Sequence, residues 1–273
     1  MDTKKIPTHE LERKLPSWAK IVKTVNTINL YNMNVLDNIL SWTRTIMDVP
    51  AIDYYGNVIT YGQLPEKVRE YVNGLKAIGV DSNDVVTMCM PVSTENILAL
   101  LATNHMGVIN NTPNFLFLKN DFKTYTKDKH SNTLMILDAY LPFVIDYVEE
   151  CGIKNVIITS LNYYLPNEKK HMFDDMSKLL KKLRDVFGNV EKQKECIEKM
   201  KTIKNVNFIK MGDLIELGKQ NPEELVSGPV DIERDSGYSY TSGTTGKPKC
   251  IVYKEQSANA LIELHNIYKI YHM

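Results

Sequence analysis

The residues best suited to chemistry lie late in the chain, in the run Tyr238-Ser-Tyr-Thr-Ser-Gly-Thr-Thr-Gly-Lys-Pro-Lys-Cys-Ile-Val-Tyr253. Between Thr241 and Lys249 stand two glycines, four hydroxyl residues and two lysines. Gly243 and Gly246 reach positive φ without strain and leave their N–H groups unobstructed by a Cβ. Successive N–H groups in such a loop form a concave anion site. Thr241, Ser242, Thr244 and Thr245 add hydroxyl donors, and Lys247 and Lys249 add positive charge. A polyphosphate is the guest this combination suits. The run is not a Walker loop, because two residues rather than four separate Gly243 from the Gly246-Lys247 pair. A Gly/Thr-rich hairpin loop without function is the competing reading. The β-prone residues Tyr238 and Tyr240 before the loop, with Ile251 and Tyr253 after it, put it between two strands, which fits a phosphate loop.

Stepping along the chain gives the elements that must position this loop. The runs 51–55 and 58–61 flank Gly56-Asn57, the pattern of a tight hairpin. Apolar residues at 64, 68, 71, 72, 75 and 78 predict a helix, which Gly79 stops. Val85–Met90 reads as a strand ended by Pro91, and Ser93 or Thr94 can cap the helix that follows through Met106. Further strands are predicted at Thr133–Leu137, Asn155–Thr159 and Val206–Ile209, with an apolar helix around Phe143–Val148 and a helical block over 168–201. Such short apolar runs between helices indicate parallel strands buried on both faces. The fold class is therefore α/β, with alternating strands and helices forming a mostly parallel sheet. No linker interrupts the pattern, so one continuous domain is expected.

Composition narrows the function. The 273 residues are 43% apolar and 24% charged, enough to bury a core. Lys plus Arg and Asp plus Glu balance at 33 each, so no net field draws nucleic acid or an anionic membrane. Cys89, Cys151, Cys196 and Cys250 show no CxxC spacing, and with dispersed histidines they suggest neither a zinc site nor a disulfide framework. The first residues contain no apolar signal region, and a cytoplasmic protein is expected.

Tyr240-Thr-Ser-Gly-Thr-Thr-Gly-Lys-Pro-Lys249 resembles the signature loop of the adenylate-forming superfamily, which includes acyl-CoA synthetases, luciferases and peptide-synthetase adenylation domains. Upstream, Ile59-Thr-Tyr-Gly-Gln-Leu64 is similar to the family's ITYxEL, and Gly79-Val-Asp-Ser-Asn-Asp-Val-Val86 to GVxxGDVV, with Asn83 for a glycine. Pro91-Val-Ser-Thr-Glu95 is similar to PNSxE, and Gly107–Pro113 to the segment after it. The resemblance covers about 33 to 270 and is closest to an acyl-CoA synthetase. It implies the large N-terminal domain of such enzymes. It also implies a two-step reaction in which a carboxylate and ATP give an acyl-adenylate and pyrophosphate, and coenzyme A then takes the acyl group. Magnesium assists. By position, Thr241, Ser242, Gly243, Thr244, Thr245 and Gly246 would hold phosphate. Lys249 matches the family lysine, while Lys247 stands at a variable position and is kept as a weaker candidate.

Cys250 departs from the family's usual glycine and is expected to act as a small buried residue opening a strand. No residue matches the family's adenine segment, ribose-binding acid or C-terminal lysine. Residues 33–273 are therefore expected to be a partial AMP-binding domain, behind an extension of residues 1–32 that includes a short helix near Trp18. The acid is expected to be a carboxylic acid of fatty or medium chain length. The alternative is an inactive fragment that self-associates or pairs with a complementary chain. A basic amphipathic stretch over 167–188 could touch a membrane, but a surface helix packed on the core is the commoner case, and membrane contact is not expected. Asp138, after a strand, reads as a cap.

Overall fold

The computed structural model describes residues 3–7, 27–82, 84–114, 118–170, 190–241 and 248–269. Both the helix near Trp18 and most of the amphipathic stretch, residues 171–189, lie outside them. Contacts group the chain into two units, one of residues 1–45, 226–235 and 253–273 and the other of residues 46–225 and 236–252. In the first, strand β1 (Thr3–Pro7) pairs antiparallel with β2 (Thr27–Tyr31), and helix α1 (Val35–Thr43) follows. The chain's last helix also belongs to this unit, and it is bound to the region of α1 by side-chain hydrogen bonds. Asn38 Nδ2 donates to Asn259 Oδ1 (2.7 Å), Asn259 Nδ2 to the Met33 carbonyl (2.9 Å), and Trp42 Nε1 to Glu263 Oε1 (2.9 Å).

The second unit begins with β3 (Pro50–Tyr54) and β4 (Asn57–Thr60), an antiparallel hairpin. Its turn is Tyr55-Gly56, one residue earlier than the sequence suggested, and both have positive φ, 55° and 92°. Those are the left-handed values that a two-residue turn with the right twist requires, so Asn57 is released into the strand. Helix α2 (Leu64–Ala77) buries Leu64, Val68, Tyr71, Val72 and Leu75, as its spacing predicted. Gly79, at φ 84°, ends it: Gly79 N donates to the Lys76 carbonyl and Val80 N to that of Leu75. That pair of bonds satisfies carbonyls a helix end would otherwise leave free.

There follow β5 (Val85–Cys89), α3 (Thr94–His105), β6 (Ile109–Thr112), α4 (Leu118–Thr126), β7 (Thr133–Leu137), β8 (Asn155–Thr159), α5 (Val190–Thr202), β9 (Asn207–Lys210), α6 (Met211–Gln220), β10 (Asp235–Tyr240), β11 (Cys250–Lys254) and α7 (Glu255–Lys269). Ser93 caps α3 by accepting from Asn96 N. Seven strands form one sheet in the order β11-β10-β6-β5-β7-β8-β9, and from β10 to β9 every neighbouring pair is parallel. All five residues of β5 and of β7 are buried, as a sheet covered on both faces demands.

The predicted helix around Phe143–Val148 is instead two 3-10 turns, Leu141–Phe143 and Ile145–Tyr147. Pro142 and the β-branched Val144 and Ile145 favour short i to i+3 turns over a regular helix in so brief a segment. Six described elements escaped the sequence reading: β1, β2 and α1 in the first unit and β6, α4 and α6 in the second. Against α2, α6 packs very closely. A Cβ on Gly218 would stand 1.8 Å from the Glu70 carbonyl oxygen, and one on Gly74 2.3 Å from that of Leu214.

Candidate functional site

The candidate loop leaves the carboxyl end of β10 and returns through β11. In parallel sheets, ligand sites gather at the carboxyl ends of the strands. Two hydrogen bonds close the neck of the loop. Thr241 N donates to the Lys249 carbonyl (3.0 Å), and Lys249 N donates to Thr241 Oγ1 (3.0 Å). Thr241 and Lys249 are thus held within hydrogen-bonding distance of each other. Ser242, Gly243, Thr244, Thr245, Gly246 and Lys247 lie outside the described residues, whereas Thr241 and Lys249 are described and exposed.

This geometry revises two roles. The Thr241 and Lys249 amides are spent on the neck, so neither can point at a ligand. Thr241 Oγ1 accepts a bond there and keeps its own O–H to donate. The Lys249 ammonium is in no ion pair among the described residues, and its side chain reaches solvent beside the neck. Cys250 opens β11 as expected, but half-buried rather than buried.

The strand that carries the loop is fixed on the side of β6. Thr112 Oγ1 donates to the Tyr238 carbonyl (2.9 Å) and lies 3.1 Å from Ser239 Oγ. Lys129 Nζ stands 4.6 Å from the centre of the Tyr238 ring, a cation–π contact. The Tyr240 phenol donates to Asn111 Oδ1 (2.8 Å), and its ring meets Tyr125 edge-on with centroids 4.5 Å apart. Burial, then the neighbouring Cys250 thiol, push the Tyr240 hydroxyl well above the ordinary phenol range, so it stays a donor at every working pH.

Behind Tyr240 the polar contacts continue inward. Asn111 Nδ2 donates to Thr87 Oγ1 (2.8 Å) and to the Tyr125 carbonyl (2.6 Å). Thr87 Oγ1 then donates to Ser131 Oγ (2.8 Å), which lies within donating distance of the Val85 and Thr133 carbonyls at 3.0 and 3.1 Å. Sequence reasoning missed all of these partners. The available signal was two adjacent asparagines in the run 109–112, which are unfavourable in a strand unless their amides are bonded.

A second concavity of about 410 Å³ lies at the carboxyl ends of β7, β8 and β9, lined by Asp138, Leu141, Ile158, Cys196, Phe208 and Asp213 among others. Asp138 Oδ1 accepts from Ala139 N (2.7 Å) in an exposed turn; it is not the helix cap expected, because the 3-10 turn that follows begins only after Tyr140. Among the described residues, no helix is long and apolar enough to cross a membrane.

Comparison with known proteins agrees with this geometry. The sequence is 28% identical over 198 residues to 3-hydroxypropionyl-coenzyme A synthetase of Sulfurisphaera tokodaii, covering 72% of this chain and 26% of that protein. Against the long-chain-fatty-acid–CoA ligase of Bacillus subtilis it is 24% identical over 219 residues, 80% of this chain and 36% of the relative. The chain thus spans about a quarter to a third of the length of these relatives. The fold matches that of an anthranilate CoA ligase in complex with anthranoyl-AMP, with a TM-score of 0.58 at 17% identity over 83% of this chain and 35% of that one. It also matches a benzoate CoA ligase from Burkholderia xenovorans, with a TM-score of 0.54 at 16% identity over 81% of this chain and 34% of the other. The pattern of the AMP-binding enzyme family matches residues 41–272, and the chain belongs to that family.

Proposed function

We propose that this chain supplies the ATP phosphate-binding part of an acid-activating ligase, in which a carboxylate attacks the α-phosphorus of ATP to give an acyl-adenylate and pyrophosphate, and coenzyme A then receives the acyl group. The observation that carries this reading is the closed neck, Thr241 to Lys249, set at the carboxyl end of a parallel strand in a chain of the AMP-binding family. Negative charge grows on the pyrophosphate as it leaves, and donors already aimed at it lower the barrier. In this reading Thr241, Ser242, Gly243, Thr244, Thr245 and Gly246 bind the β- and γ-phosphates through hydroxyls and amides, the Thr241 contribution being its hydroxyl. Lys249 supplies the principal charge, and Lys247 a smaller share. Magnesium, when bound, supplies further charge neutralisation.

Residues 33–273 are read as part of an AMP-binding domain and 1–32 as an extension. Adenine, ribose and acyl contacts then come from polypeptide beyond this chain's span of the relatives, in the same protein or in a complementary one. We place the acid among fatty or medium-chain acids, the Bacillus relative being a long-chain fatty acid ligase. Cytoplasmic residence fits this chemistry.

The test is calorimetric titration of the chain with ATP and with tripolyphosphate, beside ATP–pyrophosphate exchange over a panel of carboxylic acids. Binding of both, weakened about tenfold by Lys249→Ala and less by Lys247→Ala, is expected, in line with one charged hydrogen bond lost. Exchange by the chain alone is not expected, and robust exchange would refute the division of labour. Failure of both ligands to bind would refute the phosphate reading itself.

A further inference from the structure

We propose that Tyr240 and Asn111 position the phosphate loop, holding its first residue at a fixed height above the sheet through a one-directional chain of hydrogen bonds. This rests on the phosphate-binding reading above and extends it from the loop to residues that touch no phosphate.

The argument begins with what anchors each side of the neck. A loop closed by two hydrogen bonds has a defined width, but nothing in those bonds fixes its position relative to the sheet. Tyr240 is the last residue of β10 and is covalently joined to Thr241. Its hydroxyl donates to Asn111 on the neighbouring strand β6, so any drift of the neck away from the sheet must break this part-buried bond. Asn111 cannot give way, because its amide is committed to Thr87 and to the Tyr125 carbonyl, and Asn111 and Thr87 are themselves register partners across β6 and β5. Asn111 and Thr87 are both fully buried, so a lost bond finds no water to replace it.

Every donor in the chain faces the same way. The tyrosine gives to the asparagine, the asparagine to the threonine, and the threonine to Ser131, which ends on a strand carbonyl. Aligned bonds of this kind polarise their immediate neighbours, so a broken link weakens chiefly the links next to it. The Tyr125 ring packs edge-on against the Tyr240 ring, 4.5 Å between centroids, beside this bond. A general packing role needs none of this. A phenylalanine would fill the same space, and an apolar pair would join β6 and β5 equally well.

The experiment compares tripolyphosphate affinity with thermal stability in the whole chain. Tyr240→Phe keeps the ring and its contact with Tyr125 and removes only the anchoring hydroxyl. We expect about tenfold weaker tripolyphosphate binding with the fold retained. Ser131→Ala, at the far end of the chain, is expected to lower the melting temperature while leaving affinity within twofold of the wild type. If Tyr240→Phe does not fold, Thr87→Val breaks the next link at nearly constant shape and is expected to weaken binding several-fold.

Wild-type binding with an unchanged Tyr240→Phe affinity would overturn the positioning role and leave the phosphate reading intact. So would equal losses in Tyr240→Phe and Ser131→Ala, which would make the effect one of stability alone. No binding by the wild type would overturn the phosphate reading, and this inference with it.

Discussion

The two halves of the seven-stranded sheet are built from different materials. On the side of β7, β8 and α6 the buried residues are mainly apolar, Leu134, Met135, Ile136, Val156, Ile157, Leu214 and Ile215, with Thr133, Asn155 and Thr159 at the strand ends. Within β6 and β10 they are amides and a hydroxyl, Asn110, Asn111 and Ser236, bonded to Thr103 and Asn104 of α3. Strand β5 is the seam, with Val86 and Met88 on one face and Thr87 on the other. Apolar packing is non-directional and tolerates small shifts. Hydrogen bonds demand particular distances and angles, so they fix a position more sharply for the stability they provide. The polar half is the one that carries the candidate loop, which is where sharply fixed position has a use.

The most severe break is expected in the apolar half. Gly218→Ala would force a methyl into the Glu70 carbonyl where α2 crosses α6, two backbones with no side chain that could move aside. Overpacking usually costs up to about 3 kcal/mol, and this contact should reach or exceed that figure. Urea denaturation is the measurement, and phosphate affinity of the remaining folded protein should be unchanged. If affinity fell in parallel, the two halves would not be separable.

Next comes Asn111→Ala, which strips Tyr240, Thr87 and the Tyr125 carbonyl of a partner at once. Leaving buried groups unbonded costs about 1–3 kcal/mol each where water cannot enter, and partial relaxation should hold the total near 3 kcal/mol. In contrast to Gly218→Ala, this change should cost phosphate affinity as well as stability. Thr112→Val is the milder version, removing one bond to the Tyr238 carbonyl and a contact with Ser239. About 1 kcal/mol is expected, again by urea titration.

The same division of materials decides what could be read from the sequence. The strands of the apolar half stand out as short runs such as Thr133–Leu137 and Asn155–Thr159, because period and composition are local properties. Strand β6, Ile109-Asn-Asn-Thr112, looks unlike a strand, since asparagine is poor there until distant groups bond its amide. Asn111 finds Tyr240 across 129 positions of sequence, a pairing no window detects. Helix α6 was hidden by Gly212 and Gly218, residues that weaken a helix pattern, yet Gly218 is required by the crossing with α2. The loop was legible because its glycines, hydroxyls and lysines are consecutive. Its anchoring was not, because three other elements supply it.

The smallest expected effect tests a buried acid coupled to Tyr54, Tyr71 and Tyr164, away from the loop. Glu95, in the first turn of α3, is fully buried, and burial raises its carboxyl above the ordinary 4.5; the Ser93 hydroxyl and the Tyr164 backbone pull the other way and lose. The folded state therefore binds this proton more tightly than the unfolded chain does. Stability contributed by the protonated form is present below pH 4.5 and declines as pH rises from there through the raised folded value, after which it is level. Glu95→Gln keeps the shape and removes the titration, so the variant should gain stability relative to the wild type across that window and run parallel to it on either side. Urea midpoints collected from pH 4 upward decide the matter. A wild type that instead gains on the variant as pH rises would mean the carboxylate is better bonded ionised than neutral, and Glu95 would then be a built anion rather than a tolerated acid.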